Sequence, residues 1–297
     1  MGQFVCTWPK KPKHSHVHRK IMRTFSSSFL LFFYQIALGG LFGLSATPFH
    51  ELERAFYKST AGVLFLIALL GLWGKSHLYW QDIFAENSFA IVAEILFHGL
   101  FVICFAAYMI SLWGENQAFR ARSFACCVLC GTTGLIFSAQ GFYQAHFWSF
   151  ETFVYPTTLF LSALLLGTVT VGMLLGHWYL IDTGQSLDPF IRIYKFFVVA
   201  LVVQTIFLLI SVIVLYNFGV FESVIALERL WTDHRTLFLT RVISGQVAPL
   251  ILSWMIWRTL VIPHTMAATG LFYIALLGVF VGEILGKQIL ALTSLPF

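Results

Sequence analysis

Apolar residues run along this chain in eight long blocks, at roughly 26–47, 57–75, 88–113, 123–145, 152–181, 191–217, 237–258 and 267–293. A helix needs about 20 such residues to cross the hydrocarbon core of a bilayer, and each block comes close to that length or exceeds it. Short separators rich in charges and turn formers stand between them, among them HELERAFYKS, GKSHLYWQDIFAEN, GENQAFRAR and FESVIALERLWTDHR. The blocks are too long and too continuous for barrel strands, which alternate apolar and polar positions over about ten residues. The pattern predicts an all-α integral membrane bundle of eight transmembrane helices, with no separator long enough to fold as a soluble domain beside it. Residues 1–25 read as a basic N-terminal tail and residues 26–297 as the transmembrane domain.

Composition agrees. Mean hydropathy is +0.83, apolar residues make up 59% of the chain and charged residues 10%. So few charges cannot cover the surface of a water-soluble protein of this length, so lipid is the solvent for most of it. Trp73, Trp113, Trp148, Trp178, Trp231 and Trp257 fall near the ends of the blocks, as an interfacial aromatic belt requires. The first block contains ALGGLFGLSA, small residues that let two helix backbones approach. No internal repeat is evident, which weighs against an inverted-repeat transporter.

The net charge of +5 is concentrated in the tail, at Lys10, Lys11, Lys13, Arg19, Lys20 and Arg23. A basic stretch before a hydrophobic helix is a topology signal or a lipid-headgroup contact. With no folded basic domain beside it, nucleic acid is not an expected partner. The tail places the N-terminus on the cytoplasmic side, although the loop charges taken without it reverse the bias. No small-residue cleavage site follows a short apolar core, so no removable signal peptide is expected. Of the five cysteines, Cys127 and Cys130 have CxxC spacing, but no second pair completes a metal site, and no metal is expected.

Counting residues along antiparallel helices places several polar side chains at one depth. Glu94 and His98 lie about 6 and 10 residues into the third block, and Glu283 and Lys287 about 10 and 6 residues before the end of the eighth. Each pair is spaced i, i+4 and so shares a helix face. Tyr34 and Gln35 in the first block, Arg241 and Gln246 in the seventh, Gln140 and Tyr143 closing the fourth and Gln204 in the sixth fall in the same slab. Ionisable residues in hydrocarbon cost a few kcal/mol each, so they face the bundle interior and usually have a task. One reading is mutual satisfaction within each i, i+4 pair as structural ties. The other is a shared internal pocket for a small polar headgroup that exchanges protons, and a quinone fits it. Quinone carbonyls need donors such as His, Lys, Arg or Tyr, and their reduction needs proton carriers such as Glu or His. A b-type haem needs axial ligands at one depth. His98 and His177 are offset by about 20 Å and His146 lies about 15 Å from the level of His98, so haem b is not favoured.

The stretch GVFVGEILGKQIL at 278–290 resembles the Gly-Glu-x-x-Gly-Arg pattern near the C-terminus of the dimethyl-sulfoxide-reductase membrane-anchor family. The eight-block count and SGQVAPLILSWMIWR are similar to the related polysulfide- and nitrite-reductase anchors. Gly282, Glu283, Gly286 and Lys287 correspond to the pattern, with lysine standing where the family has arginine. The resemblance implies a haem-free quinol-binding subunit that exchanges electrons with an iron–sulfur subunit docked at the membrane surface.

These observations together lead us to expect a multi-pass protein of the cell inner membrane that binds quinone or quinol as the anchor of a respiratory oxidoreductase and has no electron carrier of its own. Glu94, His98 and Glu283 are the expected acid–base residues. Tyr34, Gln35, His98, Arg241, Gln246 and Lys287 are the expected quinone contacts. The alternatives are a proton-coupled transporter using the same slab as its relay, and a non-catalytic scaffold or assembly factor in which the slab only holds helices in register.

Overall fold

The computed structural model describes residues 14–49, 51–79, 89–142, 149–182, 184–262 and 264–297, the side chains of 14–25, 79, 89 and 90 excepted. Lys10, Lys11, Lys13, Tyr143, His146 and Trp148 therefore lie outside the described residues, as do the side chains of Arg19, Lys20 and Arg23. Among the described residues there are nine helices and no strand. Eight are long and apolar enough to cross a membrane: α1 (His14–Ser45, apolar over Ser26–Ser45), α2 (Arg54–Tyr79), α3 (Phe89–Ser111), α4 (Gln117–Gln140), α5 (Phe150–Ile181), α6 (Asp188–Phe218), α8 (Arg235–Val261) and α9 (Thr265–Thr293). The short α7 (Phe221–Asp233) joins α6 to α8. The protein is a multi-pass helical membrane protein with eight candidate spans.

The apolar blocks locate every span, and the polar first turns lie beyond what hydropathy registers. Helix α4 begins at Gln117 and not near 123, because Asn116 caps it: Phe119 N donates to Asn116 Oδ1 at 3.0 Å. Helix α6 begins at Asp188 with Pro189 in the first turn, where proline's missing N–H costs nothing. The helical backbone of α1 already starts at His14, inside the basic tail.

Helix α7 corrects the expectation of a simple separator at 221–235. Ser223 and Leu230 are buried, while Phe221, Glu222, Glu228, Trp231 and Thr232 are exposed. An amphipathic segment of this kind lies along a surface and does not cross the core. The first turn of α5 fixes its start. There Glu151, 1% exposed, accepts from Val220 N at 2.7 Å and from Ser223 Oγ at 3.1 Å. A carboxylate at a helix N-terminus satisfies otherwise orphan donors and complements the helix dipole.

Helix α8 contains a π-turn at Ile243–Val247, closed by Ala248 N–H donating to Ile243 O. Pro249 follows directly and has no N–H to continue the ladder. The wider turn brings positions i and i+5 above one another. It thus lines up Arg241 and Gln246, both buried, which an unbroken α-helix would splay by about 140°.

Helix α1 runs through the centre of the bundle and packs against α2, α4, α5 and α9. Its contact with α5 is backbone on backbone. A Cβ on Gly39 would lie 1.7 Å from Ala163 O, and one on Gly167 would lie 1.8 Å from Gly39 C. The small residues of ALGGLFGLSA thus allow the close approach expected of them. Gly39→Ala is expected to lower the melting temperature of the detergent-purified protein by at least 10 °C or to prevent its recovery as a monodisperse species. Gly62→Ala, where a Cβ meets nothing within 4 Å, is expected to leave both unchanged.

Candidate functional site

Tyr34 and Gln35 are neighbours in sequence and turn to different halves of the bundle. The Tyr34 hydroxyl donates to Gly131 O on α4 at 2.7 Å, and Gln35 Nε2 donates to Leu159 O on α5 at 2.6 Å. The polar slab is divided along this line into two clusters, one on each side of α1.

The first cluster lies among α1 to α4. The carboxylate of Glu94 on α3 forms an ion pair with Lys75 on α2 that is closed off from solvent. Lys75 Nζ also reaches Ser138 Oγ on α4 at 3.4 Å. His98, one turn on from Glu94, places Nδ1 2.7 Å from the Glu94 backbone oxygen. A carbonyl can only accept, so Nδ1 carries a proton, and in the neutral ring Nε2 presents a lone pair. That Nε2 is buried and has no hydrogen-bond partner among the described residues. The Tyr34 ring lies against the imidazole, with centroids 3.8 Å apart and planes tilted by 31°. Gly134 makes room for both, since a Cβ there would lie 2.6 Å from Tyr34 Oη and 3.3 Å from His98 Nδ1.

The second cluster lies among α5, α6, α8 and α9, around Glu283. Oε1 accepts from Arg241 Nη2 at 2.8 Å and from Gln204 Nε2 at 2.7 Å. Oε2 accepts from Ser162 Oγ and lies 3.7 Å from Lys287 Nζ. Gln246 joins at the edge, its Oε1 accepting from Thr205 Oγ1 at 2.6 Å. The glycines of the 282–287 motif have steric roles here. A Cβ on Gly282 would lie 2.3 Å from Gly245 Cα in the π-turn of α8. One on Gly286 would lie 2.6 Å from Phe297 O and 2.9 Å from Arg241 Nε. The two glycines thus let α8 and the folded-back C-terminal segment close over the carboxylate. That segment is held by Tyr155 Oη, which donates to Ser294 O at 2.7 Å.

The single chamber expected from residue depth is therefore two sites, one a balanced ion pair and the other a carboxylate between two cations. Helix α1 lies between them, and no substantial packing joins α3 to α9 among the described residues. Tyr34, Glu94 and His98 are brought together, and so are Arg241, Gln246, Glu283 and Lys287. Gln35 sits at the α1–α5 contact. The i, i+4 partnership holds for Glu283 and Lys287. It fails for Glu94 and His98, because a cation on α2 is a stronger partner for a buried carboxylate than a neutral ring. Lys75 is the residue that sequence reasoning missed, having been read as a loop charge. Its signal was available: it lies four residues before the end of α2 and Glu94 five residues after the start of α3, so the same depth count pairs them. Ser138, Ser162 and Thr205 carried no such signal. His177 is exposed on α5 near the far end, 3.4 Å from Tyr273 Oη.

Removing one member of a buried ion pair leaves the other charge stranded, at a cost of about 3–5 kcal/mol, whereas replacing both with apolar residues is often neutral. Lys75→Met is accordingly expected to destabilise the protein by about that amount in denaturant-driven unfolding in detergent micelles. Lys75→Met combined with Glu94→Leu is expected to recover most of the loss.

Compared with models of protein families, with curated proteins and with solved structures, the chain matches none.

Proposed function

We propose that the protein is a quinol-binding membrane subunit of a respiratory oxidoreductase and that the first cluster, not the second, is its reactive site. The observation that carries this reading is the His98 Nε2 lone pair. It is buried at the level of the polar slab, without a partner, and aligned by the bond from Nδ1 to the Glu94 carbonyl. A buried acceptor with nothing to accept from costs about 1–3 kcal/mol, an expense a binding site recovers when its ligand arrives. A quinol hydroxyl supplies the missing donor, and quinol oxidation releases two protons and two electrons. His98 is positioned to accept a hydrogen bond at Nε2 and then a proton. The sequence reading makes this ring a donor to a quinone carbonyl; with Nδ1 donating to the Glu94 carbonyl, the neutral ring accepts at Nε2 instead. Tyr34 holds the imidazole plane by its stacked ring. The Glu94 carboxylate, paired with the Lys75 ammonium, stands one turn away, towards the N-terminal side, where it can receive the proton from His98. The resemblance of 278–290 to the anchor family supports a quinol-linked subunit, while its residues belong to the second cluster and do not bear on the choice of the first.

Glu283 has a different role in this proposal. Both of its oxygens are occupied by four side chains, so the second cluster fixes α5, α6, α8 and α9 against one another, with Arg241 and Lys287 both paired to the one carboxylate. In this proposal the electrons pass to a partner subunit, for which an iron–sulfur protein at the membrane surface is the candidate.

His98→Ala is expected to lower quinol binding by the purified protein at least tenfold, measured by quinone extraction and titration, with the melting temperature held within a few degrees. Glu94→Gln is expected to bind quinol and slow its turnover in the assembled complex. Binding unaffected by His98→Ala would overturn the assignment, and a Soret band lost in that variant would identify His98 as a haem ligand instead. Proton-coupled solute flux into proteoliposomes without any quinone dependence would favour the transporter.

A further inference from the structure

A second kind of site lies at the opposite end of the bundle, away from both charge clusters. A cavity of about 660 Å³ opens where the end of α1 and the chain after it meet the first turns of α2 and α4. Its volume falls within the range of about 300–1,000 Å³ typical of small-molecule sites. Two arginines line it, Arg54 and Arg120, and no acidic residue does among the described residues. Arg54 is the first residue of α2 and Gln117, also in the lining, the first of α4. Two helix N-termini therefore open on the cavity with their positive dipole ends.

Arg120 is the built element. It is only 8% exposed, and its guanidinium carbon lies 5.2 Å from the centre of the Phe49 ring. Nη2 donates to Gly114 O at 2.8 Å and reaches Ser111 O at 3.4 Å, which locks the group in place. Its Nε is buried with no partner among the described residues. A desolvated cation fixed by two carbonyls, in a cavity wall with no acidic residue among the described ones, is an incomplete ion pair. The remaining walls include Phe49 and Phe124, so the cavity is amphipathic. Lys58, one turn beyond Arg54, stands 5.0 Å from the exposed Trp113 ring, which places this rim at the level of the interfacial aromatic belt.

We infer that this cavity binds a phosphate group, supplied by the headgroup of an anionic lipid whose acyl chain leaves along the apolar wall. Basic pockets between transmembrane helices at the headgroup level suit this chemistry, and each cation near the surface contributes about 1 kcal/mol to anionic-lipid binding. The inference is independent of the quinol reading, since none of its residues belongs to either charge cluster.

The test is native mass spectrometry of the full chain in detergent after incubation with phosphatidylglycerol or phosphatidylcholine. Two variants preserve the fold. Arg54→Gln changes an exposed residue, and Ala121→Glu adds a carboxylate to an exposed lining position in the first turns of α4. The wild type is expected to retain phosphatidylglycerol in preference to phosphatidylcholine. Arg54→Gln should weaken that retention about fivefold and Ala121→Glu should abolish it. A parallel titration with inorganic phosphate distinguishes the source. Displacement of phosphatidylglycerol only at high phosphate concentration supports the lipid, while tight, Arg54-dependent binding of inorganic phosphate without lipid preference keeps the phosphate site and replaces the lipid with a soluble ligand. Equal retention of both lipids, with no phosphate binding and no effect of either variant, would overturn the inference.

Discussion

An ionised side chain inside hydrocarbon must find its opposite charge on a neighbouring helix, and the interior of this protein is arranged around that requirement. Glu94 finds Lys75, and Glu283 finds Arg241 and Lys287. Neither carboxylate is left to bulk water, and neither cation set extends beyond its own half of the bundle. Both partnerships tie together helices that are consecutive in sequence. Glu94 connects α3 back to α2, and Glu283 connects α9 to α8, with Gln204 and Ser162 adding α6 and α5. The ion pairs therefore specify which helices meet as well as neutralising charge.

Helix α1 is what keeps the two charged sites apart. Its glycine face presses against α5 closely enough to exclude even a methyl group, and this close approach sets the depth at which Tyr34 and Gln35 leave the helix on different sides. One site is left with an unused acceptor at His98 Nε2, while the other saturates its carboxylate and leaves unused donors at Arg241 Nε and Nη1 and Gln246 Nε2 among the described residues. The chemical difference between them follows from this division. A saturated carboxylate is a tie, whereas an aligned imidazole with a free lone pair is a place for a proton-bearing ligand.

The fold was legible because a bilayer imposes a length: a run near 20 apolar residues can do little else, and all eight spans fall where such runs lie. Helix α7 was not legible by that measure, since its charges made it resemble a loop, and only the cap from Glu151 and the burial of Ser223 and Leu230 identify it. Within the site, depth counting found Tyr34, Glu94, His98, Arg241, Glu283 and Lys287, because equal distance from a helix end means equal depth for antiparallel helices. It could not say which of these face each other. Rotation about a helix axis depends on packing, and the packing of α1 between α4 and α5 is a backbone-level contact that no polar pattern reports. Lys75 was hidden for a simpler reason: a lysine near a helix end reads as interfacial until its partner on the adjacent helix is located.

The central claim is that the two buried charge sites are energetically separate, with α1 between them. A double-mutant cycle on Glu94→Gln and Glu283→Gln, followed by reversible unfolding in mixed micelles, tests it most directly. The account predicts that the two destabilisations add to within about 0.5 kcal/mol, as for sites without shared partners. A coupling energy above about 1 kcal/mol would show that the carboxylates share one chamber after all, and would contradict it.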